Sequence, residues 1–378
     1  MRSARVLITG IGGIGGVNFV NALRLAERQV DLRLYLVGTD HNPYYIHFAN
    51  VDARYRTPRH DDPTFLSTLL DIIKRHGIEF LHPHPSVDAN VVASNRGLFD
   101  SINVRAYLPS PESIAPPDKA LIADKMIKAG VPAPRTMSIK VLDDIDEAFS
   151  RLGSPLWIRA RRGAGGRLSL RVNNPEEAKL WVRLNVLQSR ASIEDFIIQE
   201  YLPGRDVAFD SLWYRGGRLI TSYARERIEY PFKHISLSGI TGTPSVARTI
   251  SDEEVNKVGV RAVLALDPEP PHGFYSVDLK EDLNGRFRVP RLTVSGTQRH
   301  RSGGLSMARA YQDPRYNLAY VYLALGMWDE LPWDLPQYDL FPSDHYLIRQ
   351  MDSGVLLMRG RMVTYGGYYN QLRIGPRL

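Results

Sequence analysis

Residues Arg5-Val6-Leu7-Ile8-Thr9 run directly into five glycines within positions 10–16, and helix-spaced apolar residues continue from Val17 to Ala26. An apolar run, a glycine turn and then a 3.6-residue period spell strand, tight turn and helix. That unit constrains the rest of the fold, because a strand feeding a helix of this kind needs a parallel neighbour. A second strand-like run at 32–37 ends in Gly38-Thr39-Asp40, and a helix-like stretch at 65–76 leads to a third run at 79–82. The alternation predicts an α/β, Rossmann-like front domain with a parallel sheet over residues 1–112.

Pro109, Pro111, Pro116 and Pro117 then punctuate the chain, and a helix predicted over 118–129 stops at Gly130-Val131-Pro132-Ala133-Pro134. Beyond Pro155 the pattern changes to strand-like runs at 156–159, 168–172, 196–199, 207–214 and 219–223, with one helix near 175–187. An antiparallel-rich α+β module is expected there.

The 378 residues contain no cysteine, which removes disulfides, thiolate metal sites and cysteine nucleophiles. Arg2 and Arg5 precede an apolar stretch broken by glycines, with no cleavage pattern, so the cytoplasm is the expected compartment. The net charge is +7, but Lys and Arg are dispersed and not gathered in a run, which argues against a nucleic-acid interface. An anionic small ligand accounts for local Arg clusters equally well.

Two segments carry most of the chemistry. Residues 155–159 form an apolar run ending at Arg159, followed by Arg161-Arg162-Gly163-Ala164-Gly165-Gly166-Arg167. A strand-end cation beside a glycine loop suits a polyphosphate and a lid that excludes water; the alternative is a hairpin with a solvated basic turn. About forty residues on comes Phe196-Ile197-Ile198-Gln199-Glu200-Tyr201-Leu202-Pro203-Gly204-Arg205-Asp206. The N-terminal glycines could also cradle a pyrophosphate, but their spacing is not the strict dinucleotide fingerprint.

The ordered set resembles the ATP-grasp superfamily, and within it carbamoyl-phosphate-synthase-like members. It comprises a Rossmann-like front, Asp118-Lys119 before a helix ending in Gly-Val-Pro-Ala-Pro, a basic glycine loop, and Gln199-Glu200-Tyr201-Leu202 with Asp206. The resemblance implies a linker helix and small subdomain at 113–195, a large subdomain at 196–312 and a C-terminal extension at 313–378. It further implies that Lys119 and Arg159 face ATP phosphates under a lid containing Gly163, Gly165 and Gly166. Gln199, Glu200, Tyr201 and Leu202 would border the adenine, and Asp206 the ribose. Arg225, Arg227 and Arg299 would serve phosphoryl transfer, with Thr241-Gly242 in the same region, and Asp278 would hold Mg²⁺.

Family members usually carry Glu-x-Asn on the following strand, and here residues 291–304 offer no glutamate. Aligning on Arg299 places Val294 or Ser295 at that position, neither of which ligates metal as a carboxylate does. Gln298 and His300 are weaker ligand candidates, Arg301 is a further phosphate or acyl-phosphate contact, and His82 and His84 read as strand-end or interface residues.

The expected activity is an ATP- and Mg²⁺-dependent ligase joining small-molecule carboxylate and amine substrates through an acyl phosphate. The alternatives are an ATP-binding module without turnover and, with less support, an NAD(P)-dependent oxidoreductase resting on residues 9–16 alone. If the chain self-associates, a homodimer is the expected state.

Overall fold

The structure is a computed structural model, describing all residues except 116–117, 164–165, 242, 295–302, 351–353, 360–361 and 368–378. The first strands, β1 (Arg2–Thr9), β2 (Leu32–Asp40), β3 (Ala53–Arg56) and β4 (Phe80–Pro83), form one parallel sheet in the order β3-β2-β1-β4. The glycine turn after β1 is needed for packing. Gly10 has φ +66°, and a Cβ on Gly16 would lie 2.3 Å from the Gly10 carbonyl oxygen, so the helix Ile14–Gln29 could not start against the strand with larger residues. Asp40 at the end of β2 accepts from the Gly12 amide at 2.8 Å and fixes the turn. The helix Phe65–His76 ends at Gly77 in the left-handed conformation, φ 57°.

A second, antiparallel sheet comprises β5 (Thr136–Ser138), β6 (Leu156–Ala160), β7 (Leu170–Val172) and β8 (Phe196–Glu200), in the order β5-β8-β6-β7. Alternation puts Leu156 and Ile158 of β6 into a core with Ile145, Val172, Val182, Phe196 and Ile198, under the helices Asp144–Leu152 and Pro175–Leu187. The same alternation leaves Trp157 and Arg159 on the other face.

The third sheet contains β9 (Asp206–Tyr214), β10 (Arg218–Glu229), β11 (Val246–Ile250), β12 (Gly273–Glu281), β13 (Phe287–Val294), β14 (His345–Gln350), β15 (Gly354–Arg359) and β16 (Met362–Gly367). Its order is β13-β12-β9-β10-β11-β14-β15-β16, antiparallel throughout. The tail is therefore part of the large sheet. Its helix Leu318–Trp328, apolar on every face, is buried with the first helix and Tyr107. Asn317 donates to the Ala22 carbonyl at 2.8 Å, and the Tyr322 hydroxyl to the Tyr107 carbonyl at 2.6 Å. Among the described residues no helix is long and apolar enough to cross a membrane.

His82 and His84 sit at the end of β4, buried, with His82 stacked on Phe19 at 3.7 Å and its Nε2 3.3 Å from Nδ1 of His84. Among the described residues no three His, Asp or Glu side chains gather where they could hold a metal.

Candidate functional site

The helix Lys119–Lys128 begins at Asp118, whose carboxylate accepts from the amides of Ala120 and Leu121 and so caps the first turn. The same carboxylate accepts from Arg161 Nε at 2.6 Å, tying the helix start to the base of the glycine loop. Lys119 is buried, and its Nζ donates to the carbonyls of Ala160 at 2.9 Å, Arg161 at 3.2 Å and Gly163 at 3.0 Å. Burial, with Arg159 and Arg291 nearby, pushes its pKa down to about 7. The three carbonyls act in the opposite sense, since only a full ammonium has three protons to give them.

Arg159 projects from β6, half-buried and without a hydrogen-bond or ion-pair partner among the described residues. Burial first, and then Arg291, push it down to about 10, while Asp278 acts the other way. Arg159 of β6 thus feels charges carried on β12 and β13 of the large sheet. Gly163 and Gly166 both have positive φ, and a Cβ on Gly166 would meet the Ile240 carbonyl oxygen at 2.8 Å. The glycine loop therefore lies against the 236–241 segment, close to Thr241, whose hydroxyl donates to the Pro231 carbonyl. Gly165 and Gly242 fall outside the described residues.

On the large sheet, Arg225 and Arg227 point to one side of β10, as their i, i+2 spacing requires. Both are engaged by carboxylates. Arg225 Nε donates to buried Asp210 at 3.1 Å. Arg227 donates to Asp206 at 2.7 Å and to Asp278, and Asp206 also accepts from the Tyr230 hydroxyl at 2.9 Å. Burial works against the Arg227 charge, but Asp278 and Asp206 outweigh it and hold the guanidinium firmly protonated. Asp278 on β12 faces Arg291 on β13, so the residue across from it is neither Val294 nor Ser295. Val294 pairs with Tyr275, and Ser295, Gln298, Arg299, His300 and Arg301 lie outside the described residues.

At the other end of the cleft, Gln199 donates to the Thr136 hydroxyl at 2.7 Å, and Leu202 is buried. Tyr201 packs near Trp157, ring centroids 6.2 Å apart, with Arg171 5.0 Å from its ring centre. Glu200 accepts from Arg135 twice, from Nε at 2.7 Å and from the backbone amide at 2.8 Å. Sequence reasoning missed Arg135, Tyr230, Asp210 and Arg291, none of which belongs to a motif.

No protein-family model matches the chain. Over 177 residues it is 27% identical to the glutamate–LysW ligase ArgX of Sulfurisphaera tokodaii, a match covering 46% of this chain and 59% of that one. Over 197 residues it is 23% identical to the carbamoyl phosphate synthase large chain of Methanoculleus marisnigri, covering 51% of this chain and 18% of that one. The chain thus spans well under two thirds of the length of these relatives. Among solved structures it is similar to the biotin carboxylase domain dimer of Hydrogenobacter thermophilus 2-oxoglutarate carboxylase, determined with MgADP and bicarbonate. The TM-score is 0.64 at 16% identity, covering 91% of this chain and 73% of that one. The chain has the fold of the ATP-grasp ligases, the group that its ordered motifs resemble.

Proposed function

We propose that the chain is an ATP-dependent ligase that joins a small-molecule carboxylate to an amine or similar nucleophile. The observation that carries this reading is the grouping of three cations from separate elements: Arg159 and Arg291 lower the pKa of Lys119, Arg291 lowers that of Arg159, and Lys119 donates to the Gly163 carbonyl of the glycine loop. Like charges gathered in this way favour a bound anion. In this reading Arg159 and Lys119 contact the phosphates, and the backbone around Gly163, Gly165 and Gly166 closes over them. Gln199, Glu200, Tyr201 and Leu202 border the base, and Asp206 the ribose. A carboxylate has about four acceptor positions, so Glu200 can receive an exocyclic amine while keeping Arg135.

The substrate carboxylate would attack the γ-phosphorus as the bond to ADP breaks, giving an acyl phosphate. The amine would then attack the acyl carbon, releasing phosphate. Arg225, Arg227 and Arg299 would organise charge around the transferred group. Asp278 fits one Mg²⁺, an ion that commonly takes one or two carboxylates together with phosphate oxygens. When bound, that ion would neutralise charge on the transferring phosphoryl group.

The reading is tested by titrating ATP, with and without Mg²⁺, into the wild type and Arg159→Ala by calorimetry, then assaying ADP with candidate carboxylates. Binding lost in the variant, and ADP released only with a carboxylate, supports the ligase. Absence of nucleotide binding refutes it. A second reading, nucleotide binding without turnover, is favoured by the absence of a glutamate from residues 291–304 and by a cation, Arg291, standing opposite Asp278; binding with no ADP under any substrate would select it.

A further inference from the structure

Around Asp278 the cleft is richer in fixed positive charge than a metal-dependent phosphate site requires. Arg227 bridges Asp278 and Asp206, Arg291 faces Asp278 across the β12–β13 pair, and Arg159 approaches from the small sheet. Lys119 completes the set at the base of the glycine loop. Two further carboxylates nearby are already engaged, Asp210 by Arg225 at 3.1 Å and Asp118 by Arg161 at 2.6 Å. Arg227, Arg291 and Arg159 therefore all bear on Asp278, and among the described residues no three His, Asp or Glu side chains gather where they could hold a metal. A cation built into the chain can neutralise a phosphate oxygen as a divalent ion does, and a guanidinium does so with a rigid fork of donors and a permanent charge.

Resting on the nucleotide reading above, we propose that Arg291 takes the place of a second divalent cation. The polyphosphate is then held by guanidinium groups plus one metal ion, and its binding survives removal of that ion. Arg291 is placed for this role by backbone pairing and not by a flexible loop. β13 is hydrogen-bonded to β12 on both sides of the Asp278 position, from Tyr275 opposite Val294 to Glu281 opposite Phe287. The helix that begins at Lys119 packs against β13, the strand that carries Arg291. A phosphate oxygen between these groups would relieve their mutual repulsion.

The test is calorimetric titration of ATP into the full chain in Mg²⁺ and in EDTA, for wild type, Arg291→Met and Arg291→Lys. Circular dichroism and thermal melts establish that each is folded. Wild type should lose less than about tenfold in affinity when Mg²⁺ is removed. Arg291→Met should lose more than about tenfold further in EDTA and much less in Mg²⁺, with Arg291→Lys between the two. Mn²⁺ titration followed by electron paramagnetic resonance, in the presence of ATP, should give one tightly bound ion per chain. Metal-free binding by wild type that collapses by about a hundredfold or more, an Arg291→Met variant indistinguishable from wild type in EDTA, or two bound Mn²⁺ ions would each overturn the proposal while leaving the nucleotide reading intact. No ATP binding in either buffer would overturn that reading and this one with it. Should Arg291→Met fail to fold, the wild-type metal dependence, the Mn²⁺ count and Arg291→Lys still decide.

Discussion

Replacing Arg227 with Met removes one guanidinium from two carboxylates while keeping most of the side-chain volume. The Arg227 side chain is 7% exposed, and those of Asp206 and Asp278 are 18% and 10% exposed, so solvent can do little to replace the lost charge. Removing one partner of a buried ion pair typically costs about 3–5 kcal/mol, whereas an exposed pair is worth about 1 kcal/mol or less. Asp206 keeps the Tyr230 hydroxyl. We therefore expect Arg227→Met to lose about 3–5 kcal/mol of stability at pH 7. Urea unfolding followed by tryptophan fluorescence measures it, with Trp213 on β9 as a buried reporter of the large sheet. Adding Asp278→Asn should recover a substantial part, because an amide needs no counter-charge. The reasoning fails if Arg227→Met costs less than about 1 kcal/mol, or if the two substitutions add without interaction.

Gly166→Val should free the glycine loop from the 236–241 segment, because φ is +71° and the new side chain meets the Ile240 carbonyl; faster limited proteolysis between residues 161 and 168 would register it. Gly259→Val on the helix Glu253–Leu266 would place Cβ 2.4 Å from the Phe209 ring. Overpacking should cost about 1–3 kcal/mol in urea unfolding, despite the better helix propensity of the new residue. His272 is pushed down to about 4, chiefly by burial and then by Arg96 and Arg215. The unfolded chain then binds the extra proton between roughly pH 6.5 and pH 4, so stability falls as pH is lowered through that window, by up to about 3 kcal/mol. His272→Gln should flatten that limb of the stability profile.

Much of the fold was legible because its signals are local. The helix at 65–76 is bounded by Gly77, the helix at 175–187 by the Asn174 cap and Pro175, and the helix after Asp118 by that residue's own carboxylate. The strand expected at 219–223 is much longer, Arg218–Glu229, because the charged residues at its end are paired across strands and do not end the ladder. The tail was illegible for a different reason. Its helix Leu318–Trp328 is apolar all round and only 11 residues long, so periodicity could not mark a face, and β14 finds its partner β11 about a hundred residues earlier in the chain.

The site was legible in its residue types and less so in its partnerships. Lys119, Arg159, Asp278 and the glycine loop could be named as candidates from the resemblance of their motifs, but which carboxylate answers which guanidinium depends on strand register. Arg291 shows why. The hairpin after β12 turns through Asn284-Gly285, and the pairing of Lys280 with Arg288, continued without interruption, would set Asp278 opposite Pro290. A bulge between Asp278 and Lys280 shifts the ladder by one residue and brings Arg291 opposite instead. A one-residue slip exchanges the two faces of a strand. In this chain it decides whether a proline, which carries no side-chain donor, or a permanent cation stands across from the metal-ligand candidate. Sequence alone cannot place such a bulge, and the charge balance of the cleft depends on it.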